Sequence, residues 1–439
     1  MSKFIIVSGS YDPYPTANGV CAKAVEEALK KKGHEVIYMV TRNNITQKKC
    51  EVINGNKVFF IPKTIHEIHW TFNKIQDSFL VGSAEKYILK LTHTVIKVTF
   101  KFLAFLRGKT ARDSAIAIYK RNFISIMSKL LLEEKPDGII SFSVPFNSHL
   151  YTHETLVKTG YETLWVSCIV DAHQHKPGLS QKEKRLFAKQ EAIVFKNAKL
   201  CFLLDVLKEN YNTVSYKEYG HKFTYFKLPF LKIPLNYKVE DAFEIVKGGD
   251  TIDITFAGTL YDDSRPIHYF SSFIRECKNT NIRFHLMGKF YPETKKNIEE
   301  LIKFMPSQIR MYGFVSRDFV LASLQRSDIL INIGNNNTNQ IPSKILEYIG
   351  MQKPIISFIR DENDAALDYL NRYPYSYIIN ENKEKSISKV LEQAMEFFEK
   401  SKKEKIDIPT LRNNFKGYLQ EDVTKEIVET IEKYIYEQK

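Results

Sequence analysis

The sequence predicts an α/β protein with two doubly wound, Rossmann-like domains that face each other across a cleft. The chain has 439 residues, and chains of that length usually divide into two domains, each with its own core. Short runs rich in Ile and Val alternate with amphipathic segments, as in parallel sheets whose strands are joined by helices. The alternation occurs twice, on either side of residues 227–252, whose prolines and Gly-Gly pair are typical of a linker.

The first series begins with a βαβ unit. A strand is predicted at residues 3–9 and a helix at residues 20–32, where Gly33 ends it. The next strand is predicted at residues 34–41. Three further strands are predicted at 137–143, 163–171 and 199–205. In the second series, strands are predicted at 253–258, 282–288, 309–315, 328–334, 354–359 and 375–380.

These series define the domain prediction. Residues 1–235 are expected to form the first domain and residues 250–415 the second, while residues 416–439 form a helix that packs back on the first domain. In open α/β sheets, ligands bind beyond the carboxyl ends of the strands, so the cleft is the expected ligand site.

The composition narrows the class of partner. The net charge is +13, which favours an anionic partner: nucleic acid, a phosphorylated small molecule or an acidic membrane surface. The five cysteines are dispersed, which argues for a reducing compartment and against a zinc site. The amino terminus reads as a strand rather than a signal peptide, and no apolar run reaches the ~18–20 residues that span a bilayer. We therefore expect a cytoplasmic protein.

Residues 86–112 depart from the α/β pattern, because they contain seven Lys or Arg residues and no Asp or Glu. On a helix the lysines fall in one stripe (Lys86, Lys90, Lys97 and Lys101), and the apolar residues gather opposite them (Ile88, Val95, Val98, Phe102, Phe105 and Leu106). This pattern is typical of a helix that lies in a membrane interface. A core helix with a solvated lysine face is the alternative.

Several polar residues follow predicted strands or begin helices. Asn18 and Gly19 precede the first helix, where a glycine lets a ligand approach the backbone and helix N–H groups favour an anion; a plain turn is the alternative. Asp171 ends an apolar strand, where its carboxylate would face the cleft or serve as a simple cap. Arg265 lies seven residues after Gly258, where it would bind a phosphate or form a salt bridge with Asp262 or Asp263.

Lys344 and Glu347 lie one turn apart at the start of a short helix. A helical projection places them on one side with Tyr348. Lys344 and the helix N–H groups would bind a diphosphate, and Glu347 would accept hydrogen bonds from ribose hydroxyls. An ordinary ion pair on a helix surface is the alternative. The paired histidines (His66/His69, His149/His153 and His173/His175) lack an evident third ligand and are interpreted as surface or core residues.

The stretch "PSKILEYIGMQKPII" resembles the donor-binding segment of GT-B glycosyltransferases, especially the retaining enzymes of glycosyltransferase family 4. "GSYDPYPTANG", "ALKKKGHEVIYMVT", "PDGIISFSVP", "WVSCIVD", "FAGTLYDDSRP" and "YGFVSRDFVLASLQRSDILI" resemble further segments of its bacterial polysaccharide and lipopolysaccharide branch, in the same order along almost the whole chain. The resemblance implies transfer of a sugar, with retention, from a nucleotide diphosphate sugar, a UDP-sugar above all, to a glycan or a lipid-linked acceptor. It also implies no obligatory metal or other cofactor.

The resemblance also assigns roles. Glu347 would bind the ribose, Lys344 and Arg265 the diphosphate, and Gly19 would approach the donor phosphate or the acceptor. The remaining assignments are loop residues at the donor (Asn18, Gly258, Gly288, Phe314, Val315 and Ser343) and a strand-end acid, Asp171, on the acceptor side. Charge that develops on the leaving group would be stabilised electrostatically, so Asp171, Arg265 and Lys344 are the predicted catalytic residues.

Two positions depart from the family's pattern. Asn339 stands where many members have a second glutamate, and Thr259 where they often have an arginine. The alternatives are therefore a GT-B nucleotide-sugar 2-epimerase and an inactive scaffold. Nucleic-acid binding is not expected, because the basic residues are spread over both domains and no recognisable module is present. We expect a cytoplasmic enzyme at the inner face of the cell membrane.

Overall fold

The computed structural model confirms the mixed α/β fold with two largely parallel sheets. It describes residues 1–11, 16–42, 47–63, 83–106, 110–143, 145–175, 178–240, 242–243, 251–262, 265–335, 341–384, 386–403 and 406–437. The chain divides into two compact units. Unit 1 comprises Met1–Phe226 and Thr424–Lys439, and unit 2 comprises Lys227–Val423.

Unit 1 contains an eight-stranded sheet with the strand order β3-β4-β2-β1-β5-β6-β7-β8. Its strands are β1 (Lys3–Ser8), β2 (Glu35–Thr41), β3 (Cys50–Ile53), β4 (Asn56–Ile61), β5 (Gly138–Phe142), β6 (Leu164–Ile169), β7 (Leu200–Leu204) and β8 (Phe223–Phe226). Neighbouring strands pair in parallel except for the β3–β4 hairpin. The direction of winding reverses between β1 and β5.

Unit 2 contains a six-stranded, all-parallel sheet with the order β11-β10-β9-β12-β13-β14. Its strands are β9 (Ile252–Ala257), β10 (Ile282–Met287), β11 (Ile309–Gly313), β12 (Ile329–Ile333), β13 (Ile355–Ile359) and β14 (Ser376–Asn380). Here the winding reverses between β9 and β12. Each sheet is therefore doubly wound, with a switch point at which ligands characteristically bind.

Helices cover the sheets. Those within the described ranges are α1 (Ala17–Lys31), α2 (Ser83–Leu106), α3 (Ala111–Glu134), α4 (Asn147–Thr159), α5 (Gln181–Asn197), α6 (Lys208–Tyr211), α7 (His268–Glu276), α8 (Pro292–Phe304), α9 (Arg317–Arg326), α10 (Lys344–Gly350), α11 (Leu367–Leu370), α12 (Ile387–Lys403), α13 (Ile408–Asn414) and α14 (Gln420–Glu437). A 3₁₀ helix spans Val214–Lys222. No helix in these ranges is long and apolar enough to cross a membrane.

The eleven predicted strands agree with the observed ones to within about two residues at either end, because most of them are short apolar runs with buried side chains. The sequence did not predict β3, β4 and β8. The first helix begins three residues earlier than predicted. The Thr16 hydroxyl caps it by accepting a hydrogen bond from the Gly19 N–H group.

The basic segment 86–112 contains parts of two helices rather than one. Helix α2 ends at Leu106, and α3 begins at Ala111 after the capping residue Thr110. The apolar side of α2 is exposed rather than packed in a core, so the core-helix alternative is wrong for this helix.

Candidate functional site

The carboxyl ends of β9, β10 and β11 meet at three glycines. The Gly258 N–H group donates to Met287 O at 3.0 Å, and the Gly288 N–H group donates to Gly313 O at 2.8 Å. Gly288 has φ +130°, and a Cβ atom there would lie 1.8 Å from Gly258 O. Only glycine fits this position, so the backbone itself forms the surface at this edge of the sheet. The structure thus brings together Gly258 and Gly288, which the sequence assigned to one binding site.

Arg265 lies against the same edge. Its Nη1 atom donates to Thr259 O at 3.3 Å, and its Nε atom donates to the side chain of Asn335, which follows β12. Burial lowers the pKa of the Arg265 guanidinium, which nevertheless stays charged at neutral pH. Asp262, one of the two predicted salt-bridge partners, accepts hydrogen bonds from the N–H group and hydroxyl of Thr294, and Asp263, the other, lies outside the described residues. Arg265 therefore places a cation at the switch point of the sheet.

Glu347 is the centre of a charged cluster. One carboxylate oxygen, Oε2, accepts from Lys344 Nζ at 2.8 Å, and the other, Oε1, accepts from Arg317 Nη2 at 2.7 Å. Burial by itself would raise the pKa of Glu347, but the two cations more than offset it and hold that pKa below its ordinary value. Glu347 is thus an oriented carboxylate, ionised at neutral pH, with one cation on each oxygen.

Two tyrosines flank this cluster. The Tyr348 hydroxyl donates to Ala257 O, the last residue of β9, at 3.4 Å, and burial raises the pKa of Tyr348. Burial and the nearby Glu347 carboxylate raise the pKa of Tyr237. Helix α10 is buried from Ile345 to Gly350 and therefore has no solvated face. The ordinary surface ion pair is consequently a poor description of Lys344 and Glu347.

The remaining residues predicted to lie at the donor are found at the ends of other elements or outside the described residues. Phe314 and Val315 follow β11, and the Phe314 ring is 87% exposed. Ser343 precedes α10 and makes no side-chain capping hydrogen bond. Asn339 lies outside the described residues. Their contacts with a nucleotide stay predictions.

In unit 1, Asn18 and Asp171 come together although 153 residues separate them. Asn18 Nδ2 donates to Asp171 Oδ2 at 2.9 Å, and Asn18 Oδ1 accepts from the Ser143 hydroxyl at 3.1 Å. The N–H groups of Val170 and Asp171 donate in turn to Ser143 Oγ at 3.0 and 3.3 Å. These residues follow β5 and β6 or begin α1, so the network lies at the switch point of the first sheet.

Gly19 adjoins this network. Its N–H group donates to the Thr16 hydroxyl at 3.3 Å, so the helix cap already uses the N–H group that we predicted would favour an anion. Gly19 is also buried, and its role toward a ligand stays a prediction.

A buried carboxylate, Glu191, holds the loop that follows β6. It accepts hydrogen bonds from the N–H groups of His173 and Gln174 at 2.9 and 3.1 Å. It also accepts from the hydroxyls of Tyr211 and Tyr216 at 2.7 and 2.8 Å. Burial raises the pKa of Glu191, and these donors limit the rise. Glu191 therefore fixes the backbone immediately after Asp171.

Among the paired histidines, His149 and His173 contribute to the packing of unit 1. His149 is fully buried with Nδ1 2.7 Å from the Ser141 hydroxyl, and burial lowers its pKa to about 3. The His173 ring stacks between Phe146 and Phe187. His66 and His69 lie outside the described residues. Within the described part of the chain, no group of three His, Cys, Asp or Glu residues could hold a metal ion.

Sequence reasoning missed three residues of these clusters: Arg317, Ser143 and Glu191. Arg317 and Ser143 follow strands, where other polar residues had drawn attention, but neither has a distinctive spacing. Glu191 lies in the helical stretch "EAIVF", where nothing in the sequence marks it. Their partners lie 17 to 125 residues away in the chain, so only the folded structure connects them.

One family model matches part of unit 2. Residues 251–393, which contain β9 to β14 and the Glu347 cluster, match a family model described as glycosyl transferases group 1. The match lies within unit 2, which spans Lys227–Val423. A search of curated proteins finds no match.

Solved structures match the chain over nearly its whole length. Sucrose-phosphate synthase from Thermosynechococcus elongatus aligns with a TM-score of 0.60 and 9% identity, covering 100% of this chain and 99% of that one. Anabaena HepE in complex with UDP and glucose aligns with a TM-score of 0.59 and 9% identity, covering 99% and 100%. UDP-GlcNAc 2-epimerase from Methanocaldococcus jannaschii aligns with a TM-score of 0.52 and 11% identity, covering 98% and 99%. The predicted fold class, two Rossmann-like domains of the GT-B type, is therefore confirmed.

Proposed function

We propose that the protein is a retaining glycosyltransferase. It transfers a sugar from a nucleotide diphosphate sugar, a UDP-sugar above all, to a glycan or a lipid-linked acceptor in bacterial surface polysaccharide synthesis. The family match within unit 2 supports the reaction class. The complex of the similarly folded HepE with UDP and glucose supports the class of donor.

The observation that carries this proposal is the charged cluster around Glu347. Its carboxylate is buried, ionised and oriented, and ribose hydroxyls are donors that such a carboxylate binds well. Lys344 uses one of its three N–H bonds on Glu347 and keeps others for a phosphate oxygen. The cluster and Arg265 therefore match the two chemical parts of a nucleoside diphosphate.

In the reaction, the bond between the anomeric carbon and the diphosphate oxygen breaks, and the diphosphate leaves with the electron pair. The two cations assigned to the diphosphate, Arg265 and Lys344, stabilise the charge that develops on it. The acceptor hydroxyl forms the new bond on the face from which the diphosphate departs, which gives retention. Its proton passes to the departing diphosphate.

The acceptor belongs to the network of Asn18, Ser143 and Asp171. A carboxylate beside a neutral amide and a hydroxyl suits a sugar hydroxyl better than a phosphate. Asp171 accepts a hydrogen bond from the acceptor hydroxyl and orients it. Glu191 acts through the backbone after Asp171 and is a positioning residue.

A panel of UDP-, GDP- and other nucleotide sugars, screened by thermal shift, tests the donor class. We expect a rise in the melting temperature with one base and little with the others. The anomeric configuration of the product, read by proton NMR, then tests retention. Inversion of configuration would contradict the mechanism, and no stabilisation by any nucleotide sugar would contradict the donor site.

A nucleotide-sugar 2-epimerase is the second candidate, favoured by the structural likeness to the UDP-GlcNAc 2-epimerase. Incubation of a labelled nucleotide sugar without acceptor separates the two functions. A transferase leaves the sugar unchanged at C2, apart from slow hydrolysis. Conversion to the C2 epimer would replace the transferase proposal.

A further inference from the structure

Helix α2 has an exposed apolar side. Seven large apolar residues along it are between 50% and 76% exposed: Ile88, Leu91, Val95, Val98, Phe102, Phe105 and Leu106. At 100° per residue these seven positions fall within an arc of about 100°. A contiguous apolar surface of this size on a protein usually marks an interaction site.

The opposite side of α2 holds the helix on unit 1. His93 and Ala104 are 6% and 3% exposed, and Ile96 and Phe100, between them on the same face, are partly buried. The helix therefore has a fixed orientation, and its broad apolar side points away from the face that packs on the protein.

Three exposed lysines, Lys90, Lys97 and Lys101, lie between these two sides. Projected on the helix they form a stripe along one margin of the apolar surface. Lysine side chains in that position can lay their methylene groups on the apolar surface and reach outward with the ammonium. From Lys86 to Leu106 the helix contains no Asp or Glu.

Two hydroxyls near the apolar side form hydrogen bonds within the helix. The Thr92 hydroxyl donates to Ile88 O at 2.9 Å, and the Thr94 hydroxyl donates to Lys90 O at 2.8 Å. Hydroxyls bonded in this way need no water, so an apolar environment does not penalise them.

We propose that the exposed apolar side of α2 inserts into the interface of an anionic phospholipid bilayer. Phe102 and Phe105 enter the acyl region, and Lys90, Lys97 and Lys101 bind lipid phosphates at the margin. A bilayer fits better than a second copy of this chain, because lipid phosphates pair with the lysine stripe, whereas residues 86–106 of a second copy offer it no carboxylate. Vesicle binding is independent of sugar transfer, so it can fail or succeed whatever the donor site does.

Flotation of the full-length protein with vesicles of phosphatidylcholine and 30% phosphatidylglycerol tests the proposal at low salt. We expect the protein to float, and Phe102→Ser with Phe105→Ser to weaken binding at least about tenfold, because two phenyl groups lose their burial. Lys90→Glu with Lys97→Glu should weaken binding to a similar degree. Phe105→Trp should gain fluorescence that lipids with brominated acyl chains quench.

Matched controls come from the same unit. Leu132→Ser with Val157→Ser changes two apolar residues as exposed as the phenylalanines, and Lys182→Glu with Lys189→Glu reverses two lysines at the same seven-residue spacing on α5. Both controls should float like the unchanged protein, and circular dichroism should show all variants folded. No flotation at low salt, or unchanged flotation of the phenylalanine variant, would overturn the proposal. So would a dimer in sedimentation that only the α2 variants dissociate.

Discussion

The switch points of the two sheets carry polar clusters of different charge. In unit 2 the named side chains are three cations, Lys344, Arg317 and Arg265, and one carboxylate. In unit 1 they are an amide, a hydroxyl and the Asp171 carboxylate. On our proposal, the same architecture binds a diphosphate in one unit and neutral hydroxyls in the other. The proposal assigns this difference to the charge of the side chains after the strands rather than to the sheet itself.

The edges of the two sheets, at the carboxyl ends of the strands, also differ in how they are built. Of the variants considered, Gly288→Ala should lower the free energy of unfolding most. In unit 2 the backbone forms the edge, and a Cβ atom at Gly288 would overlap Gly258 O. We expect a loss of about 3–5 kcal/mol in the free energy of unfolding, from the positive φ and the overlap together, measured by urea denaturation. Gly313→Ala is the control, because its φ is also positive but its Cβ would meet no atom within 4 Å. Equal losses in the two variants would show that close approach does not shape this edge.

In unit 1 the side chain of Glu191, rather than close backbone contact, fixes the loop at the edge of the sheet. Glu191→Gln tests this role. The carboxylate accepts its hydrogen bonds with two oxygens, whereas the amide of glutamine has only one oxygen to accept them. We therefore expect the free energy of local unfolding of this loop to fall by about 1–3 kcal/mol. Hydrogen exchange at the His173 and Gln174 N–H groups should speed up accordingly. The raised pKa of Glu191 adds a pH dependence: its contribution to stability is present below the unfolded pKa of about 4.3 and is lost as the pH rises toward the folded value. Glu191→Gln should abolish that slope, and an unchanged slope would assign it to other groups.

Nucleotide affinity should respond to the cations of unit 2. Lys344→Ala and Arg317→Ala should each weaken UDP binding about tenfold in calorimetry. The first removes a predicted phosphate contact, and the second frees one oxygen of Glu347 from its fixed orientation. Lys295→Ala on α8, which removes only an exposed ion pair with Glu299, should bind UDP normally. Equal affinity in all three variants would separate the charged cluster from the nucleotide.

The smallest effect expected is a pH dependence from Glu347. Because Lys344 and Arg317 lower its pKa despite burial, the stability that it contributes is present above the unfolded pKa of about 4.3. That contribution is lost as the pH falls through the folded value. In Arg317→Ala the loss should begin at a higher pH, as thermal melts between pH 3 and pH 6 would reveal. A profile that does not move would mean that Lys344 alone sets the ionisation of Glu347.

The sequence predicted eleven of the fourteen described strands, because buried parallel strands are continuous apolar runs, as in "FIIVS" and "ILINI". It missed β3, β4 and β8, which lie at the edges of the first sheet or next to one. It also placed Gly258, Gly288, Arg265 and Glu347 in one site, and the structure brings Gly258, Gly288 and Arg265 to one edge of the sheet, with Tyr348 joining Glu347 to it. It could not find Arg317 or Glu191, because their partners lie far along the chain and their spacing carries no period. The sequence also could not predict that the apolar side of α2 is exposed. Periodicity defines the faces of a helix, but it does not show which face the rest of the protein covers.

Calorimetry with UDP on the unchanged protein, Glu347→Ala and Asp171→Asn tests the division of roles most directly. We predict that Glu347→Ala weakens UDP binding at least about tenfold, because a buried, charged partner of the ribose is lost. Asp171→Asn should bind UDP within about twofold of the unchanged protein and lose sugar transfer, since removal of a carboxylate from unit 1 leaves the Glu347 cluster intact. Loss of UDP affinity in Asp171→Asn together with full affinity in Glu347→Ala would contradict the assignment of the donor to unit 2.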